Sequence, residues 1–228
     1  TRNTLMRKRF SLPLLAVATL VLSACSNKKV ASSDTYSGFL KDYSALTEHQ
    51  SPSGEPVLSW VNPTLELNRY TQVYIEPSRY YPQPAPSKRL PQTTLDDTTW
   101  YYDAALKHEL GKVLTVVTTP GPKTLIVRPA ITRVTASTQG LRFYEWLPIT
   151  LVAAGVSTAT GIRDQDSEIA TEVAFVDGGT RTLVAKVVRK GTGASLENDK
   201  QVITTADVKG VLDGWARDLR KSYLAMRK

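Results

Sequence analysis

Residues 168–189 read EIATEVAFVDGGTRTLVAKVVR. Ile169, Val173 and Phe175 alternate with Glu172 and Ala174, the period-two pattern of a strand with one face on a core. Leu183, Ala185 and Val187 alternate in the same way with Thr182 and Lys186, although Val184 and Val188 make the second face partly apolar as well. Asp177-Gly178-Gly179 stands between the two runs and predicts a tight turn with positive φ at its glycines. The stretch is therefore expected to be an antiparallel hairpin, residues 168–176 against 180–189, around which a sheet is built.

Working outward, Thr205 to Met226 carries Val208, Val211, Leu212, Trp215, Leu219, Tyr223 and Met226 at helical spacing, which predicts a C-terminal helix with one apolar stripe. Trp215 belongs to that stripe as a core residue, with Asp213 and Arg217 paired on the outside. Between hairpin and helix, Gly191 to Gln201 reads as a polar loop. Gly191-Thr192-Gly193 lacks the downstream lysine and helix that grip a phosphate. On the other side, Lys123 to Thr135 predicts a central strand with Leu125, Val127 and Ile131 on one face and Ile126, Ala130 and Val134 on the other. Pro129 cannot donate to a ladder, so a bulge is expected beside it. Asp96-Asp97-Thr98 is expected to cap a helix reaching about Val117, with Tyr102, Leu106, Leu110, Val113 and Leu114 inward and Lys107, Glu109 and Lys112 in water. Pro120-Gly121-Pro122 would stop it. Thr71 to Glu76 reads as the first strand, ended by Pro77, and Glu48 to Glu55 as a loop turning at Ser51-Pro52-Ser53-Gly54. This order predicts an α/β (α+β) fold: a mixed sheet of about four to five strands, a βαβ unit followed by the antiparallel hairpin, and two main helices on one face.

The N-terminus is of a different kind. Met6-Arg7-Lys8-Arg9 is a positive n-region and residues 10–22 an apolar h-region, the pattern of a secretory signal. The apolar run is shorter than the roughly 20 residues a spanning helix needs. Leu22-Ser23-Ala24-Cys25 closes it and resembles the lipobox of bacterial lipoproteins. That resemblance implies cleavage before Cys25, a diacylglycerol thioether on its sulfur and an acylated amine. One acyl chain anchors only marginally; the three implied here anchor stably. Ser26, in place of the Asp that tends to retain lipoproteins at the inner membrane in enteric bacteria, favours the outer membrane. Residues 1–24 are thus expected to be a signal peptide with an upstream extension before Met6, 25–35 a lipidated flexible tether, and 36–228 a single α/β domain. Phe39, Leu40, Tyr43 and Leu46, after a turn at Gly38, are expected to dock on that domain.

Composition narrows the function classes. The leader holds four of the chain's 29 basic residues and none of its 21 acids, so the remainder carries 25 against 21, a net of +4. These charges are scattered and leave no nucleic-acid footprint. Cys25 is the only cysteine, so a domain bound for an oxidising compartment has no disulfide and is held by packing. His49 and His108 are the only histidines, too few for a structural zinc site, which wants four ligands of Cys, His or carboxylate type. His49 lies in a loop and His108 mid-helix at the core border, neither with a catalytic partner in view.

Three stretches invite sharper readings. The five prolines between Glu76 and Pro91 make an extended arm that either meets a proline-binding groove or, the favoured reading, wraps the domain stiffly. Residues 146–159, WLPITLVAAGVSTA, are apolar and small, suiting a buried segment, a self-association surface, a membrane contact or the lining of a ligand cavity. Asp164, Asp166 and Glu168 alternate as ligands of a hard cation would, but not at EF-hand offsets; a solvated turn entering a strand is the simpler expectation.

Taken together, Ser37-Gly38-Phe39-Leu40 with Asp42-Tyr43, residues 144–148 and residues 158–166 resemble a family of Gram-negative lipoproteins, the domain-of-unknown-function 3313 family. The resemblance spans essentially the whole chain after the leader. It implies a lipoprotein and supplies no activity, cofactor or catalytic residue. The expected function is a non-catalytic binding or assembly module of the cell envelope, lipid-anchored on the periplasmic face of the outer membrane and contacting another envelope protein or itself. No cofactor, metal or nucleic acid is expected. The alternatives are a carrier of a small apolar ligand and, less favoured, an envelope-polymer hydrolase needing a nucleophile and base or two facing carboxylates.

Overall fold

The computed structural model describes residues 31, 33, 36–138, 165–198 and 200–227. Their elements are β1 (Thr47–Gln50), β2 (Pro56–Val61), β3 (Gln72–Ile75), β4 (Arg79–Tyr80), α1 (Gln92–Leu110), β5 (Thr115–Val116), β6 (Thr124–Thr138), β7 (Gln165–Asp177), β8 (Leu183–Leu196) and α2 (Thr205–Met226). All eight strands join one mixed sheet in the order β1-β2-β8-β7-β6-β3-β5, with β4 pairing β6 off this path. The hairpin β7–β8 lies at its centre. β3 and β6 are parallel across the α1 crossover, and β6, β7, β8, β2 and β1 run antiparallel in succession. The class is the one expected, α+β with a βαβ unit, a hairpin and a C-terminal helix. The sheet has more strands than the four to five expected, because β1, β4 and β5 are too short to show an alternating pattern.

The sheet buries both faces. On one, α1 and α2 pack over Val73, Ile75, Leu125, Val127, Ile131, Ile169, Val173 and Phe175. On the other, the chain before β1 lays Tyr36, Phe39, Leu40, Tyr43 and Leu46 over Leu58, Ala174 and Val188. A β-strand presents alternate residues to opposite faces, so Glu172 and Ala174 point away from the helices. In β6 the pairing slips between Ile131 and Arg133, and the slip brings Val134 into the same core as Leu125, Val127 and Ile131. The expected bulge is thus displaced from Pro129. That proline is tolerated for another reason. The Val127 and Ile131 carbonyls accept from Glu76 and Tyr81, so Pro129 faces the break between β3 and β4, where a missing N–H costs no ladder bond.

Several boundaries differ from expectation. The 177–182 connection is longer than a tight turn. Gly178 and Gly179 do not take positive φ; Arg181 does, at 62°. The Asp177 carboxylate organises the loop by accepting from the Gly179 and Thr180 N–H groups. α1 starts four residues early, at Gln92 after Pro91, whose fixed φ suits a helix entry. It ends at Leu110, and residues 115–116 leave it to pair with Gln72 and Val73. Glu109 is buried rather than in water and binds Lys112 and Arg220 at 2.5 and 2.7 Å, joining α1 to α2. Asp213 likewise accepts the Tyr101 hydroxyl at 2.6 Å. The proline-rich arm wraps the domain, with Tyr80 and Leu90 buried.

α2 matches its expected span, entered by a capping box between Thr204 and Asp207. Trp215 is buried and Met226 exposed. The expected loop at 191–201 is strand as far as Leu196. Its glycines permit close approach: a Cβ on Gly193 would overlap the Asp207 carbonyl oxygen at the start of α2. Gly193→Ala is expected to lower stability by about 1–3 kcal/mol, the cost of overpacking. Gly210→Ala, on the exposed side of α2 with open space around it, is expected to raise stability by roughly 0.4–1 kcal/mol. Urea denaturation midpoints check both.

Candidate functional site

Glu172, at the middle of β7, is fully buried. Burying a carboxylate is costly unless donors surround it. Here the donors come from the N-terminal segment: Ser37 N–H at 2.8 Å, Leu40 N–H at 3.4 Å and the Tyr43 hydroxyl at 2.6 Å. Gly38, at φ +90°, turns the chain so that both backbone donors reach one side chain. Tyr43 stacks on Tyr36 with ring centroids 4.2 Å apart. On β8, buried Lys186 donates to the Asp42 carbonyl at 2.7 Å and to its carboxylate at 3.1 Å. Hydrogen bonds from Ser44, with help from Lys186, hold Asp42 down at about 2. One hairpin therefore offers a buried anion and a buried cation, and the segment 36–46 answers both. Ala31, N-terminal to the clasp, packs against the same apolar cluster as Leu40. From Ser37 back to Cys25 a fully extended chain reaches at most roughly 40 Å.

The opposite face holds a second feature. Between β1, β2, the sheet and the C-terminal half of α2 lies a cavity of about 170 Å³. Leu65, Val173, Phe175, Val187 and Leu219 supply apolar walls, and Thr171 and Arg189 polar ones. Arg189 meets Asp218 at 2.9 Å, both buried. Ser53 donates to the same carboxylate at 2.7 Å. Burial works to raise the Asp218 pKa, but hydrogen bonds from Arg189, Ser51 and Ser53 and the guanidinium charge outweigh it and leave the group below the ordinary carboxylate value.

The residues singled out in the sequence fare unevenly. The lipobox Leu22, Ser23, Ala24 and Cys25, the leader 1–24, most of the tether 25–35, the apolar stretch 146–159 and Asp164 lie outside the described residues. Asp166 and Glu168 sit in β7, not in a turn; Asp166 accepts from the Ser195 hydroxyl at 2.7 Å and Glu168 pairs with Lys190 at 3.3 Å. Among the described residues no three His, Cys, Asp or Glu side chains gather as a metal site. His49 lies in β1, not a loop, and contacts Thr47. His108 is in the last turn of α1 and exposed, not at a core border. Docking of Phe39, Leu40, Tyr43 and Leu46 is as expected. Glu172, Lys186, Arg189 and Asp218 went unmarked; the only hint was a charged residue inside each apolar run.

With this geometry in place, the chain can be set beside known proteins. The family model described as "Protein of unknown function (DUF3313)" matches residues 35–219. The chain belongs to the DUF3313 family. The match begins at the clasp and ends within α2, so the clasp and most of the cavity lining lie within it, Ser222, Tyr223 and Met226 beyond it. The chain is also 41% identical over 199 residues to "Uncharacterized lipoprotein YdcL" of Escherichia coli K12, covering 87% of this chain and 89% of that one, with the same figures for the O157:H7 protein. The relative is named a lipoprotein. Among the described residues no helix is long and apolar enough to cross a membrane. Among solved structures, a PelC dodecamer from Paraburkholderia phytofirmans overlaps 72% of this chain and 96% of its own at TM-score 0.39 and 10% identity, too distant to carry an argument.

Two outcomes follow from the buried charges. Glu172→Gln is expected to cost about 1.5–3 kcal/mol, the worth of hydrogen bonds to a charged group, and to make the chain around Lys41 cleavable by trypsin, read by limited proteolysis. Asp218 has a depressed folded pKa, so its stabilisation is present above the unfolded value near 3.9 and is lost as pH falls through the lower folded value. Asp218→Asn is expected to lose about 3–5 kcal/mol at pH 7 and to show a shallower further decline at pH 3 than the parent, measured by urea midpoints.

Proposed function

We propose that this DUF3313 protein is a non-catalytic binding or assembly module of the cell envelope, held on the periplasmic face of the outer membrane by lipid on Cys25. The clasp carries the reading. Two buried charges of the central hairpin are spent on fixing the segment that follows the tether, Ser37 to Asp42. That arrangement suits a domain that must present its other surfaces from a defined exit point. The sequence of residues 22–25 and the lipoprotein name of the relative support the anchor, and Ser26 supports the outer membrane. The buried ionic groups Glu109, Glu172, Lys186, Arg189 and Asp218 all serve to join elements to one another, a use that favours scaffolding over chemistry. The partner is another envelope protein or a second copy of the chain.

The carrier reading keeps one observation of its own, the cavity beneath α2. Its described lining comes from β-strands, both helices and the chain around Leu65 and Leu67.

Cys25→Ser is expected to abolish metabolic labelling by palmitate and to move the protein from the outer-membrane fraction to the soluble periplasm; a variant that fractionates like its parent would remove the anchor. Crosslinking in cells followed by denaturing purification of the anchored form is expected to yield a discrete larger species, and recovery of monomer alone would count against the assembly role.

A further inference from the structure

The sheet ends on one side at β1, and all four of its residues, Thr47 to Gln50, are exposed. An edge strand holds a row of backbone donors and acceptors that another chain can pair with. Which residues point outward follows from the register. β1 and β2 are antiparallel, with His49 opposite Val57 and Gln50 opposite Pro56. One step further, the Ser51 N–H donates to the Glu55 carbonyl at 2.8 Å. Bonded pairs alternate along an antiparallel ladder, so Ser51, His49 and Thr47 turn their backbone groups toward β2. Glu48 and Gln50 turn theirs away from the sheet. Pro56 agrees with this phase, since it has no N–H to give Gln50.

Native sheets commonly blunt an edge with lysine, proline, a bulge or extreme shortness. The opposite edge, β5, has two residues. β1 has four, with no lysine or proline among them and an unbroken register on β2. Its outward groups also complement themselves. Two copies of β1 laid antiparallel, Glu48 opposite the second copy's Gln50, exchange two backbone bonds at each such pair about a two-fold axis at His49. An axis at Glu48 would set two carboxylates opposite each other, which is destabilising. An axis at Gln50 would set Glu48 against Pro52, which has no N–H. The register on His49 instead places the Glu48 carboxylate beside a Gln50 side-chain amide, a donor for it. On the helix-facing side, exposed Met226 lines the same hollow as His49, so apolar surface at the end of α2 lies close to this edge.

The geometry points to β1 as a self-association edge: a second copy of this chain adds its own β1 antiparallel, Glu48 to Gln50, and the sheet continues through both subunits. Such an interface is isologous, the same patch on each copy. It rests on the assembly reading and gives that reading its surface and its partner.

Cysteine placed along the edge reads the register. In the Cys25→Ser chain an introduced thiol is the only one. His49→Cys falls on the axis, where the Cα atoms of a non-hydrogen-bonded pair stand about 4.5 Å apart, within the span a disulfide bridges. It is expected to give a covalent dimer on air oxidation, read on a non-reducing gel. Glu48→Cys and Gln50→Cys stand on diagonals, roughly 7–8 Å from their own copies, and are expected to give roughly tenfold less dimer. Gln50→Pro removes one outward N–H from each copy and none from the β1–β2 ladder. With two bonds lost, self-association of the full chain in sedimentation equilibrium is expected to weaken roughly tenfold. No dimer through position 49, or equal yields at all three positions, would overturn the pairing, as would association unchanged by Gln50→Pro. Should Gln50→Pro not fold, the cysteine series decides alone. A larger species from crosslinking the anchored parent, together with no dimer through position 49, would overturn this edge and leave the assembly reading standing.

Discussion

A carboxylate at the centre of a sheet imposes a condition on everything around it. Glu172 is removed from water on the face of β7 that the helices do not cover. Left there without donors, its charge would oppose folding by several kcal/mol. The segment Ser37 to Tyr43 meets the condition with two backbone N–H groups and a phenol. Lys186, with the opposite charge, is met by the carbonyl and carboxylate of Asp42. The second face of the sheet is closed by this strap, whose ionic contacts choose its course and whose Leu40 supplies the apolar seal.

The helical face is organised by the same rule at lower density. Glu109 between Lys112 and Arg220, and Asp213 beneath Tyr101, join α1 to α2. Arg189 and Asp218 join β8 to α2. Between these points the contact is hydrocarbon, and beneath the C-terminal half of α2 it is incomplete. The cavity follows from geometry. Near its beginning α2 is drawn onto β8 by Gly193, which has no side chain to hold it away; toward its end, larger residues from β2 and the chain after it share the space.

The long periodic elements were legible in the sequence. The hairpin showed itself by alternation over two runs joined at Asp177-Gly178-Gly179, and α2 by a stripe repeated over 22 residues. Short strands were not legible. β1 is four residues, all exposed, and β4 and β5 are two residues each; they exist because neighbouring strands offer them a ladder. The Val113–Val117 run looked helical because apolar spacing alone does not say where backbone pairing takes over. Residues 191–196 read as polar loop because a sequence does not display what lies above Gly193. Glu172 and Lys186 occupy the polar positions of an alternating pattern, and nothing local reveals that a distant segment covers that face.

The amino-acid sequence by itself determined the family, the α+β class, the central hairpin and the last helix, because each is written in residues adjacent in the chain. Tertiary structure alone decided where the second face of the sheet is closed, which buried charges meet, and where space remains beneath α2. Those outcomes depend on groups distant in the chain, 135 residues for Ser37 and Glu172 and 29 for Arg189 and Asp218. Burial is a property of what packs above a residue, and no local pattern contains it.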